Sequence, residues 1–324
     1  MFINKIIDRV KENKKTIVLP ESMDERVIDA ACIVVDKKIA NIIIIGNPCK
    51  NIDLNGIKVI VPETSNYTEE LVNEFYSLRK NKGITLEDAR KLLMDDYMYY
   101  ACMLVKLGYA DGVVSGACHS TSNTLRPALQ IVKTSPDVNI VSSFFLINVP
   151  NCEYGNNGSF IFSDCGLVQN PSSDELAVIA GSSAESYELL FEDEPIVAML
   201  SHSTNGSSKH IDVDKVKNAT KLANLKYPNY KIDGEMQLDA AIVPEVAKTK
   251  YYDSKVAGKA NVLIFPDLDS GNIGYKLVQR LAKAEAYGPI TQGIAKPIND
   301  LSRGCSVDDI VGVIAITCLQ SSKN

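Results

Sequence analysis

Residues 296–309 read KPINDLSRGCSVDD. The guanidinium of Arg303 offers a planar fork of donors that matches phosphate oxygens, which a lysine would not reproduce. The Ser302 hydroxyl can donate a hydrogen bond, and Asp309 can take a proton. Such a set can hold a phosphate and move a proton. A structural reading fits the same letters. Ser306 followed three residues later by Asp309, ahead of the apolar run 310–319, is the pattern of a helix start with a capping box. Gly304 is then a turn residue, and Asp309 answers the helix dipole.

A second stretch, GACHSTSNT at 116–124, lies between a strand-like run and the helical LRPALQIV. A turn of small and hydroxyl residues there can aim backbone N–H groups and the hydroxyls of Ser120 and Thr121 at an anion. Arg126 is expected on the first helical turn, where Pro127 is tolerated. The competing reading is a plain capped helix with a solvated arginine. His119 and His202 are either acid/base groups or hydrogen-bonded turn residues. No GxxxxGK[ST] and no GxGxxG is present, so neither a P-loop nor a dinucleotide fingerprint is indicated.

Elements that would carry these stretches follow from apolar periodicity. Helices are predicted over 3–14, 24–36, 68–80 and, as one long capped helix, 85–107; strands over 16–19, 42–45, 57–61 and 109–115. Past Pro136 the run 139–149 reads as a strand with 159–162 as its antiparallel partner. Helices at 174–190, 213–223 and 274–287 follow, with strands at 195–200, 239–243 and 261–265. The segment 288–293 reads as the return to the first layer. The expected fold class is α/β: two three-layer α/β domains with a cleft between them, one discontinuous (1–137 plus 289–324) and one inserted (138–288). Polar turns at strand ends, including Asp267 and Asp269, suit a ligand cleft.

Composition narrows the function classes. The chain has 324 residues and a net charge of −6, so no nucleic-acid or membrane partner is expected. No apolar stretch approaches a membrane span, and the charged N-terminus is no signal peptide, which points to a cytoplasmic protein. Eight cysteines are scattered without CxxC pairs or zinc spacing, so no metal site is expected and they read as reduced thiols.

Five segments together resemble the phosphate acetyltransferase (phosphotransacetylase) family: residues 116–130, 163–180, 234–247, 261–282 and 288–311. The resemblance spans essentially the whole chain, and its last motif is the most specific. It implies reversible acetyl transfer between CoA and inorganic phosphate. It also implies a homodimer, an interdomain active site, and an isocitrate/isopropylmalate dehydrogenase-like architecture. No organic cofactor is implied, CoA and acetyl-CoA being substrates beside phosphate and acetyl phosphate. By motif, Ser302, Arg303 and Asp309 match the family's catalytic serine, arginine and aspartate. Arg126 matches the arginine of its LRP motif, and Arg79 a further functional arginine.

The chemistry is self-consistent. A thiol of pKa about 8.5 is only slightly ionised at neutral pH, so a base such as Asp309 helps. Burial would raise an ordinary aspartate toward that task, whereas a helix N-terminus pulls the other way. Cys305 as a covalent acyl carrier competes with Cys305 as a small packing residue. Asp308 and Asp300 read as structural. Three other functions stand beside acetyl transfer. They are phosphate butyryltransferase, a non-catalytic domain like the tail of some malic enzymes, and a metal-dependent decarboxylating dehydrogenase built on Asp267 and Asp269.

Overall fold

The computed structural model describes residues 2–51, 53, 56–136 and 138–322, and the chain divides into two units, Met1–Asp137 with Ile294–Asn324, and Val138–Gly293. The first opens with α1 (Phe2–Lys11), β1 (Thr16–Leu19), α2 (Glu25–Asp36), β2 (Asn41–Ile45), β3 (Ile57–Ile60) and α3 (Thr68–Arg79). It continues with α4 (Leu86–Asp95), α5 (Tyr97–Lys106), β4 (Gly112–Ser115) and α6 (Thr121–Ile131). The second unit holds β5 (Ser142–Asn148), β6 (Ser159–Ser163), α7 (Ser173–Phe191), β7 (Ile196–Leu200), α8 (Ile211–Lys226) and β8 (Lys231–Met236). It ends with α9 (Leu238–Ile242), α10 (Pro244–Lys250), β9 (Val262–Ile264), α11 (Leu268–Leu281) and β10 (Glu285–Gln292). The chain then returns to the first unit with β11 (Ile298–Asp300) and α12 (Val307–Ser321).

In the first unit the strands form one parallel sheet in the order β11-β4-β1-β2-β3. A parallel sheet is buried on both faces, which is why its strands are apolar at successive positions. Ile43, Ile45 and Val113 face a core shared with Phe75, Tyr100 and Ile131 of α3, α5 and α6. Helices α12, α2 and α1 pack on one another, with α12 against β4 and β1 and α2 against β2 and β3. In the second unit the sheet order is β10-β5-β6-β9-β7-β8, with β5 antiparallel to both β6 and β10.

Several sequence expectations change. The predicted single helix over 85–107 is two. Asp96 sits between α4 and α5 in an extended conformation, and its carboxylate accepts from the Met98 amide at 3.0 Å, starting a new helix. Residues 239–243 are mostly α9, not a strand; the strand is β8 just upstream. The run DAAIV is too short to set a period, and Pro244 at the start of α10 favours a helical continuation. The helix predicted over 274–287 is α11, opened by Asp267, whose carboxylate accepts from the Ser270 amide at 2.8 Å. Residues 285–292 are strand β10, paired with β5 from Ala286↔Ile147 to Gln292↔Ser142 and irregular between Tyr287 and Ile290. Gly288-Pro289 interrupts its pattern, and an edge strand tolerates a proline. The second unit therefore runs to Gly293 rather than 288. Helix α6 begins at Thr121, so Arg126 and Pro127 lie on its second turn, not its first.

Helix α12 is apolar all round, and Ile310 through Leu319 are buried without interruption. Such a helix is stable only inside a core. Ile314 is fully buried. Ile314→Ala should cost about 2–5 kcal/mol in urea unfolding, because the cavity it leaves cannot collapse fully. A loss under about 1 kcal/mol would mean that α12 is not packed as described.

Candidate active site

Because every strand of the first sheet is parallel, their carboxyl ends share one edge, where ligands bind in open α/β sheets. Three turns meet there. One follows β1 (Pro20 to Asp24), one follows β4 (Gly116 to Ser120), and one follows β11 (Leu301 to Ser306). The β11–β4 register sets Asp300 beside Ser115. The chain must then pass very close to itself. Gly116 has φ +112°, and a Cβ there would collide with the Asp300 carboxylate and the Leu301 backbone. Glycine is the residue that meets both demands.

Arg26, on the first turn of α2, ties the three turns together. Its Nε and Nη2 donate to the two oxygens of Asp24, at 3.1 and 2.7 Å. Nη2 also donates to the Ala117 carbonyl at 2.8 Å. Nη1 donates to the carbonyls of Arg303 and Cys305, both at 2.9 Å. All five N–H donors of the guanidinium are thus in use. These bonds hold the Asp24 carboxyl below the usual carboxylate range.

Ser302 and Arg303 are exposed on the turn so anchored, with their side chains at the surface and the Arg303 carbonyl held from beneath. Ser306 and Asp309 form the capping box. The Ser306 amide donates to Asp309 Oδ2 at 2.8 Å, and the Asp309 amide to Ser306 Oγ at 3.2 Å. The capping reading of this motif is therefore correct. It uses one carboxylate oxygen; Oδ1 of the half-buried Asp309 takes no hydrogen bond among the described residues. On the neighbouring turn, Ser120 precedes α6 and bonds the Ser122 hydroxyl at 2.9 Å. Thr121 donates to Asp300 Oδ2 at 2.6 Å, which joins the second motif to the first. Burial and the Asp96 charge push the Tyr99 hydroxyl up, and the charges of Arg126, on the second turn of α6, and Arg79, at the end of α3, oppose the rise.

A profile of the family described as Phosphate acetyl/butaryl transferase matches residues 1–318. The phosphate acetyltransferase of Acetivibrio thermocellus is 58% identical over 326 residues, covering 99% of this chain and 98% of that protein. That of Bacillus subtilis is 44% identical over 322 residues, covering 97% of each. A phosphotransacetylase structure from Streptococcus pyogenes is similar with a TM-score of 0.90 at 42% identity, covering 100% of this chain and 98% of that one. The chain belongs to the phosphate acetyl/butaryl transferase family.

Within this family member the cysteines are poor nucleophiles near the site. Cys305 is 7% exposed, and burial pushes its thiol up to about 11, with Asp309 adding to the rise and Arg26 opposing it. Cys118 is pushed up to about 12 by burial and by Glu21. Neither is a thiolate at neutral pH, so Cys305 is a packing residue under the turn. Among the described residues, one group could supply three metal ligands: Glu21, Cys118 and His119. The Cys118 thiol and the His119 ring donate to Glu21 Oε1 at 3.2 and 2.6 Å, so these atoms already satisfy one another. Asp267, one of the two aspartates that suggested a dehydrogenase metal site, is spent as the cap of α11.

Three residues important to this geometry were not singled out from the sequence as site residues. Arg26 and Glu21 lie in PESMDER, directly after β1, and charged residues at a strand's carboxyl end were the available signal. The third is Asp300. It is 1% exposed, and burial pushes it up to about 6, against the pull of the Thr121 hydroxyl. Among the described residues, its Oδ1 and the buried Thr124 hydroxyl have no well-formed hydrogen bond, though the Thr124 hydroxyl is near enough to oppose the rise at Asp300. A proton on Oδ1, offered to Thr124, would satisfy both atoms.

The sign of the resulting pH dependence follows from linkage. An unfolded aspartate titrates near 3.9, so between roughly pH 4 and 6 the native state binds more protons than the unfolded one. Stability then falls as pH rises through this window, by about 3 kcal/mol once Asp300 is ionised. Asp300→Asn keeps an acceptor for Thr121 and supplies a donor for Thr124. Urea unfolding from pH 4 to 7 should show the variant gaining on the parent across this window. A difference independent of pH would place the proton elsewhere.

Proposed function

We propose that this protein catalyses reversible transfer of an acetyl group between CoA and inorganic phosphate, as a cytoplasmic homodimer that needs no organic cofactor and no metal. The observation that carries the reading is the Ser302-Arg303 turn, anchored by Arg26 and followed by the capped α12, in a chain matched end to end by phosphate acetyltransferases. CoA is a substrate here.

The reaction is a direct transfer between two bound substrates. In the direction of acetyl-CoA, the thiolate attacks the carbonyl of acetyl phosphate, charge builds on the carbonyl oxygen, and phosphate leaves. Arg303 neutralises the phosphoryl oxygens with two parallel donors. Ser302 donates to the developing oxyanion or the thiolate. Asp309 accepts the thiol proton on Oδ1, while Oδ2 stays with the helix cap. Arg126 and Arg79 hold the diphosphate or phosphate of the substrates, with Ser120 and Thr121 beside them. Because both reactants are fixed in place, no enzyme nucleophile is needed. This agrees with the protonated Cys305.

A thioester absorbance assay with CoA and either acetyl or butyryl phosphate tests the reading. Acetyl-CoA should form readily. A butyryl preference would move the assignment to the longer acyl chain, since each methylene is worth only about 1–3 kcal/mol. Arg303→Ala and Asp309→Asn should each lower turnover by on the order of 10²–10³ with little change in the urea midpoint. Full turnover in both variants would remove these residues from the mechanism.

A further inference from the structure

Glu21 is 3% exposed and lies in the turn after β1, at the edge where the site lies. Its Oε2 accepts from the amides of Gly116 and Ala117, both at 2.9 Å. Its Oε1 accepts from the Cys118 amide at 3.1 Å, the Cys118 thiol at 3.2 Å and His119 Nδ1 at 2.6 Å. A carboxylate accepts, so Nδ1 carries the hydrogen and Nε2, on the far side of the ring, presents its lone pair. The His119 side chain is 51% exposed while the Glu21 side chain is 1% exposed. A buried carboxylate holding one nitrogen of a half-exposed imidazole is the arrangement that fixes a histidine's tautomer and ring orientation.

His119 also sits between two tethers to the turn after β11. Two residues before it, Ala117 shares the Arg26 guanidinium with Arg303 and Cys305. Two residues after it, Thr121 bonds Asp300. The ring lines a cavity of about 490 Å³ together with Ser22, Asn123 and Asp96.

We propose that His119, oriented by Glu21, is a further catalytic residue that exchanges a proton with the substrate phosphate. This rests on the acetyl-transfer reading above. From acetyl-CoA, an oxygen of hydrogenphosphate forms the new O–C bond, and the C–S bond breaks with its electron pair going to sulfur. The hydrogenphosphate proton passes to His119 Nε2. The thiolate takes a proton from the acid form of Asp309, and exchange with solvent resets both groups. In the opposite direction His119 returns a proton to the leaving phosphate. The roles stay separate: Asp309 serves sulfur and His119 serves phosphate.

The test uses two isosteric halves of the imidazole. His119→Asn keeps a donor toward Glu21 and deletes Nε2; His119→Gln reaches the Nε2 position without a base. Both should lower kcat by about 100-fold or more, with the KM for CoA within about twofold of the parent. Retained kcat in His119→Asn would show that the ring only supports Glu21, and would overturn the proposal. A second readout needs no turnover. The chain has three histidines, so the His119 imidazole resonance is assigned by its loss in the variant. Inorganic phosphate should shift that resonance and leave His202 and His210 in place; no shift at saturating phosphate would also overturn the proposal. An inactive parent enzyme would count against the acetyl-transfer reading, while the phosphate-dependent resonance would still decide the contact.

Discussion

One guanidinium sets the geometry of this site. Arg26 joins three turns that come from the beginning, the middle and the end of the first unit. Backbone carbonyls at turns are otherwise left to water, and a turn solvated on all sides moves. Here the carbonyls of Ala117, Arg303 and Cys305 are drawn toward one planar cation whose fifth and fourth donors are locked on Asp24. The Arg303 side chain can therefore face outward from a fixed peptide. A lysine at position 26 would have three donors and no plane, and it could not satisfy this set of acceptors at once.

The capping box before α12 gives Asp309 a structural duty that occupies one of its two carboxylate oxygens. A helix start has orphan amides, and Asp309 answers one of them with Oδ2. That bond fixes the carboxyl plane and with it the direction of Oδ1, the atom to which the proposed base role is assigned. Positioning by a cap is stiff because α12 itself is buried along its length. Core packing thus transmits order to the site through the first turn of a helix rather than through any contact with substrate.

Much of this was legible in the sequence. The isoleucine run at 42–45, the capping pattern at 306–309 and the strand–turn–helix at 112–131 have strong local periods or cap signals, and each element formed close to where it was expected. Elements with mixed signals were not legible. Strand β10 contains Gly288-Pro289, which reads as a break until its antiparallel partner β5 is known. The run DAAIV fits a strand or a short helix equally, and its neighbours decide. Ser302, Arg303 and Asp309 could be singled out as candidates because they lie together in one motif. Arg26 and Glu21 were not, because, Asp24 apart, their partners are 91 to 279 residues away in the chain and no local pattern reveals such a bond.

The turn after β4 lies between two buried carboxylates that are treated very differently. Glu21 receives three amides, a thiol and an imidazole, a full complement for a carboxylate. Asp300 receives the Thr121 hydroxyl, keeps one oxygen without a well-formed hydrogen bond, and feels Glu21 as a like charge that raises it further. A buried carboxyl with few donors keeps its proton longer, as Asp300 does. The inequality follows from backbone geometry. The amides of Gly116, Ala117 and Cys118 all point toward Glu21, and the bare Cα of Gly116 faces Asp300. A single turn thus gives one carboxylate five donors and leaves the other, pushed up to about 6 by its burial, with the Thr121 hydroxyl. The difference is imposed by the direction in which three peptide groups face.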